Sequence, residues 1–322
     1  MEQLNSSSDL IIPEQEVVQS SPFIEANTKN VSLSHLKKDC TVPVFSKDNE
    51  VTIAHHEFIE AVDDCVKSIF SGQRILQPEI RTSHVIKGRI PEAIGKPVKE
   101  LLETDKTIYY ERMMFKIDIP SIIEQVGENK LNLTIGGVRA YNQENLYSKK
   151  TIEKFKVFIG FKNLVCTNLC VSSDGFVEEM RVSNQNQLKD KVLELIGGYQ
   201  MQNHLSLLQK LNEISISDKQ FARLLGRCRM YQFLPKKERA SVPELRLNDG
   251  QLTSIAKGYF TDENFSRSDD GLISLWNVFN LLTSANKSSY IDTFLSRSVN
   301  SQELVQNLCN SLDSGMPNWY LN

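Results

Sequence analysis

The chain has 322 residues, 40% of them hydrophobic, and a formal net charge of −3. That is apolar material enough for one large domain or two ordinary ones. No apolar run approaches the roughly 20 residues of a membrane helix, the acidic start MEQLNSSSDLIIPEQE does not read as a secretory signal, and six scattered cysteines read as reduced cytoplasmic thiols, not a disulfide framework.

Residues 1–30 are rich in Ser, Asn, Gln and Glu and carry one Lys against five acids, which predicts a flexible, disordered acidic tail. VTIAHHEFIEAVDDCVKSIF then places Phe58, Ala61, Val62, Cys65, Val66 and Ile69 on one helical face. RTSHVIKGRIPEAIGKP reads as a strand followed by a Pro/Gly-punctuated loop. KTIYYERMMFKIDIPS and KLNLTIGGVRAYN read as two strands, joined into a hairpin by a turn at Gly127–Asn129. In KFKVFIGFK, residues Phe155, Val157, Ile159 and Phe161 point one way, and Lys154, Lys156, Phe158 and Lys162 the other. LVCTNLCV and GFVEEMRV complete a meander of about five strands, antiparallel because its turns are short.

From Asn184 the pattern turns helical. QNQLKDKVLELI ends at Gly197-Gly198. Ser217 and Gln220 form a capping box that opens DKQFARLLGRCRMYQFL, which Pro235 stops. QLTSIAKGYF, SLWNVFNLLTSA, SYIDTFLSR and SQELVQNLCNSL follow, the last capped by Asn300; no internal repeat is visible. The predicted architecture is α+β. It comprises the tail at 1–30, an antiparallel-sheet domain at 31–182, and a helical C-terminal region at 183–322 packed on it.

Cys166 and Cys170 lie in the stretch that most resembles a signature. Their spacing is not CxxC, and in a strand their Cα atoms would stand ~13 Å apart, beyond the roughly 7 Å limit of a disulfide. They read as structural thiols. Asn168 between them needs a partner for its amide, either backbone or a ligand. His55 and His56 diverge by about 100° on their helix and cannot share a metal. No nucleophile elbow, Walker loop, dinucleotide loop or zinc-hydrolase helix is present. Gly136-Gly137 inside a strand marks a bulge or a close backbone approach. The residues therefore give no catalytic group, metal site or cofactor.

Charge gives a better lead. Residues 130–162 hold seven Lys/Arg against two Glu, and residues 219–239 hold seven against Glu238 alone. On the strand, Lys154, Lys156 and Lys162 beside Phe158 suit a single nucleic-acid strand, with charge following phosphates and the ring stacking a base. On the second island, Lys219, Arg223 and Arg227 recur at every fourth position. Like charges at that spacing repel, which suggests an anionic partner.

SHVIKGRIPEAIGKP, KTIYYERM, LNLTIGGVRAYNQENLYSKK, FKVFIGFKNLVCTNLCVS and LLTSANKSSYIDTFL together resemble a family carried by Bacteroides-type mobile elements, catalogued as domain of unknown function 3871. VCTN at Val165–Asn168 and the helix WNVFNLLTSA resemble the wider phage/plasmid-like proteins of unknown function, although GGVRAYNQEN stands where those carry a Ser-x-Asp-Gly-Ser-like segment. The resemblance implies a cytoplasmic accessory protein of a mobile genetic element. The expected function is non-enzymatic and DNA-binding, handling single strands in transfer or recombination. The alternatives are a protein-binding inhibitor of a host defence factor and, third, a metal-dependent nuclease. No membrane partner is expected.

Overall fold

The structure, a computed structural model, describes residues 22–40, 53–93, 95–143 and 152–322. Residues 1–21 of the expected tail, and Lys149 and Lys150 of the first basic island, lie outside the described residues. In chain order the elements are β1 (Lys29–Asn30), α1 (Leu33–Lys38), α2 (His55–Ile69), β2 (Glu79–Thr82), β3 (Val85–Arg89), β4 (Lys106–Tyr110), β5 (Arg112–Val126), β6 (Asn129–Ala140), β7 (Glu153–Asn163), β8 (Leu169–Cys170) and β9 (Phe176–Val182). There follow α3 (Gln185–Gly198), α4 (Met201–Glu213), β10 (Ser215–Ser217), α5 (Asp218–Tyr231), α6 (Lys236–Arg239), α7 (Asp249–Thr261), β11 (Leu272–Ser274), α8 (Leu275–Asn286) and α9 (Ile291–Ser314).

The fold is α+β with an antiparallel sheet. Its strands run β1-β2-β5-β6-β7, and β8 and β9 share the far edge of β7. The expected β5–β6 hairpin is present, turning at Gly127, whose φ is +56°. LVCTNLCV is not a continuous strand. Leu164–Cys166 form a turn, Thr167 takes a positive φ of 59°, and only Leu169–Cys170 pairs with β7.

Helices α2, α3 and α4 cover one face of the sheet, and a single hydrophobic cluster runs from Leu36 to Leu321. A second cluster covers the other face. There Met114, Val138, Phe158, Leu169 and Val171 meet Ile291, Phe294, Leu295 and Val299, with Phe23 and Ile24 packed in. Residues 22–30 are thus folded onto the body, because Phe23 and Ile24 bury fully. Gly136 and Gly137 mark close approaches, Gly136 to its cross-strand neighbour on β7 and Gly137 to α2. A Cβ on Gly136 would stand 2.9 Å from the Phe158 ring, and one on Gly137 would stand 2.5 Å from Phe58 of α2.

The helical region repeats a short strand–cap–helix pattern that the sequence does not announce. β10 and β11 pair antiparallel through Ile216 and Ile273. Each strand ends in a serine, Ser217 or Ser274, whose hydroxyl caps the next helix. Helix α4 packs on α8 and α5 on α7. Helix α9 is also a single 24-residue helix, where two were expected. Asn300 caps nothing. Its amide accepts from Arg246 N–H (2.8 Å) and donates to the Glu244 carbonyl (2.9 Å), a tertiary use that replaces the cap.

Two histidines serve the core as neutral groups. His55 donates from Nε2 to the Tyr110 carbonyl (2.8 Å), and His204 lies between Tyr199 Oη (2.7 Å) and Gln302 Oε1 (2.8 Å). Burial lowers their pKa values to about 3 and about 4. Below an unfolded pKa of about 6.5 the unfolded chain gains protons that the folded chain refuses, so their contribution is lost as pH falls. Melting followed by circular dichroism should therefore show Tm falling from about pH 7 to about pH 5, with up to ~1.4 kcal/mol lost per pH unit per histidine. His204→Gln should lower stability at neutral pH and flatten that slope.

Candidate nucleic-acid interface

The two basic islands have different environments. Lys154, Lys156, Phe158 and Lys162 do share one face of β7, as the alternation predicts, but α9 and Phe23 cover much of that face. Phe158 is 0% exposed and cannot stack a base in this state. Lys156 Nζ donates to the Asp292 carbonyl (2.8 Å) and reaches Ser296 Oγ at 3.4 Å, and burial lowers its pKa. Lys162 pairs with Asp118, and Lys154 pairs with Glu179 at the rim. The expectation of an open lysine–aromatic platform is thus corrected. A face that reads as polar in one strand is an inner face once a helix lies across the sheet.

Beneath that cover lies a charge cluster that sequence spacing did not reveal. Lys116 Nζ stands 2.9 Å from Asp118 Oδ2 and 2.6 Å from Glu79 Oε2, while Thr134 Oγ1 donates to Asp118 Oδ1 at 2.8 Å. Burial opposes ionisation of Asp118, but the Lys116 and Lys162 charges hold its pKa below the ordinary value. Antiparallel register explains the meeting: Asp118 sits opposite Thr134, Thr134 opposite Gly160, and Lys162 two residues further on. Such a network is costly to break, because removing one partner strands a buried charge.

The second island is open. Phe221, Leu224, Cys228 and Tyr231 bury the inner face of α5, where Phe221 stacks on Tyr259 with centroids 4.1 Å apart. Lys219, Arg223, Arg229, Lys236, Lys237 and Arg239 are exposed, and Arg227 is half-buried. Arg223 donates to the Leu321 carbonyl (2.9 Å) and Arg239 to the Gln232 carbonyl (2.7 Å), which position the guanidinium groups without neutralising them. Arg227 donates to the main-chain oxygen of Asn322 and lies 5.0 Å from the Trp319 ring centroid. Arg229 meets a carboxylate, Asp249, at 3.2 Å. Phe233, 77% exposed, stands between α5 and α6.

One loop has the form of a cation site without its charge. Ser266, Ser268, Asp270 and the Leu272 carbonyl occupy the first, third, fifth and seventh places of a 12-residue calcium loop, with Gly271 at the sixth (φ +80°). Asn277 stands at the twelfth, where such a loop needs a bidentate Glu. Ser268 Oγ instead donates to the Leu272 carbonyl at 2.7 Å. Among the described residues no cluster of three His, Cys, Asp or Glu side chains could hold a metal, and all six thiols are free.

A family model described as "Domain of unknown function, B. Theta Gene description (DUF3871)" matches residues 5–321. The chain belongs to this family. No curated protein and no solved structure matches it. Among the described residues no helix is long and apolar enough to cross a membrane.

The buried ring and the rim lysine of the first island separate experimentally. Phe158→Ala should behave as a core truncation and cost about 3–5 kcal/mol in urea unfolding. Lys154→Ala, which breaks a rim ion pair, should change stability by about 1 kcal/mol or less.

Proposed function

We propose that this protein is a non-enzymatic nucleic-acid-associated accessory factor of a mobile genetic element, acting in the cytoplasm and handling single strands through the α5–α6 surface. The observation that carries the reading is the second island: seven cationic side chains within residues 219–239 against Glu238 alone, with six of them exposed. Phosphate backbones are recognised chiefly by such local positive charge, even on a protein of negative net charge. Exposed Phe233 adds a ring of the kind on which unpaired bases stack. The mobile-element setting is supported by the likeness of the quoted segments to proteins of such elements.

Binding of labelled single-stranded DNA and RNA, measured against salt, tests this. Wild type should bind at about 50 mM salt, with affinity falling as salt rises. The triple variant Lys219→Ala/Lys236→Ala/Lys237→Ala should bind more weakly, its salt slope reduced by ~0.7 for each phosphate that is no longer neutralised. The nucleic acid should stay intact with Mg²⁺ or Mn²⁺. No binding by wild type would remove the reading in favour of an acidic protein partner, such as a host defence factor. Cleavage abolished by a single carboxylate change would replace it with a nuclease.

A further inference from the structure

A pocket of about 330 Å³ opens where the folded N-terminal segment, the β2–β3 junction and the start of α9 meet. Its lining includes Asn27, Ser83, His84, Arg112, Tyr290 and Ile291. The volume falls in the range of small-molecule sites, roughly 300–1,000 Å³. Three features give it chemical character. Tyr290 is 63% exposed although it directly precedes α9, and its ring is braced by the Arg112 guanidinium 5.6 Å from the centroid. Asn27, held at a positive φ of 45°, and His84 are both exposed, and their side chains form no hydrogen bond among the described residues. Arg112 is flanked by Glu111 (3.4 Å) and Asp292 (3.7 Å), so its charge is already offset.

That last feature selects the ligand class. A phosphate would meet two carboxylates beside the single guanidinium. A flat uncharged ring would stack on Tyr290 and find in Asn27 and His84 both donors and acceptors for its edge. We infer that this pocket receives an unpaired nucleobase. The inference deepens the nucleic-acid reading above, which supplies the strand carrying the base, while the pocket's own chemistry is independent of the α5–α6 charge.

The test uses free nucleosides, which have no phosphate. Saturation-transfer NMR with adenosine and uridine should show binding to wild type, to Tyr290→Phe and to the triple lysine variant, and none to Tyr290→Ala. Tyr290 makes no side-chain cap to α9, so its replacement leaves the helix start intact; an unchanged melting temperature checks this. Toward a single-stranded oligonucleotide, Tyr290→Ala should lose roughly 5- to 150-fold in affinity with an unchanged salt slope, because stacking releases few ions. If nucleosides fail to bind wild type, or bind Tyr290→Ala equally, the pocket assignment falls while the basic surface stands. Nucleoside binding without oligonucleotide binding would keep the pocket and remove the surface.

Discussion

Covering the sheet on both faces is the constraint from which the rest follows. An antiparallel sheet can leave one face in water, and strands then alternate between apolar and polar residues. Here β7 alternates in that way, yet its polar side lies under α9 and the Phe23–Ile24 segment. Lysines on such a face must reach the rim or find carboxylates and carbonyls. Lys154 reaches the rim, Lys156 takes a helix carbonyl, and Lys162 shares Asp118 with Lys116. The cover explains why this face carries paired charge in place of free charge.

What could be read in the sequence was local. The amphipathic face of α2, the β5–β6 hairpin, the Ser217–Gln220 capping box and the close approach at Gly136-Gly137 each depend on residues within a few positions, or on a glycine's missing Cβ. What could not be read depended on distant partners. Asn300 has the form of a helix cap and is claimed by Glu244 and Arg246, 56 and 54 residues away. Phe158 has the form of an exposed platform ring and is claimed by α9. The shared strand–cap–helix pattern of β10–α5 and β11–α8 left a trace only in SIS and LIS, too short to count as a repeat. Of the candidate interface, the charge of α5 was legible because helical spacing alone places Lys219, Arg223 and Arg227 outward. Tyr290 gave no signal, because only the tertiary fold brings it beside Arg112 and Asn27.

The stretch around Cys166 and Cys170 is a joint between sheet and helices. Asn168 donates to the Asn280 carbonyl of α8 at 3.0 Å, and Asn163 donates to Asn280 Oδ1 at 3.2 Å. Lys287 binds the Cys166 carbonyl and reaches Thr167 Oγ1 at 3.0 Å. A left-handed β-branched residue costs of order 1–3 kcal/mol and persists only where its surroundings over-determine it. Thr167 is so determined: its N–H donates to the Asn163 carbonyl at 2.9 Å, and Lys287 holds its hydroxyl. The turn is strained so that Asn168 can reach α8, which is why a polar Thr-Asn pair interrupts an otherwise apolar run.

This joint also bears on how the two proposed surfaces work together. Lys287 lies just beyond α8, and its carbonyl accepts from the N–H groups of Glu25 (2.9 Å) and Ala26 (3.3 Å), which fixes the segment leading into Asn27. Shortly after Lys287, α9 begins beside the pocket, and the segment following α9 supplies the Leu321 carbonyl that positions Arg223 on α5. The same helix that buries the lysine face thus connects the region of Tyr290 with the region of the exposed arginines. Burial of one basic face and presentation of the other are two consequences of where α9 lies. A change that loosened α9 from the sheet would free Lys156 and Phe158 while disturbing both surfaces that remain open.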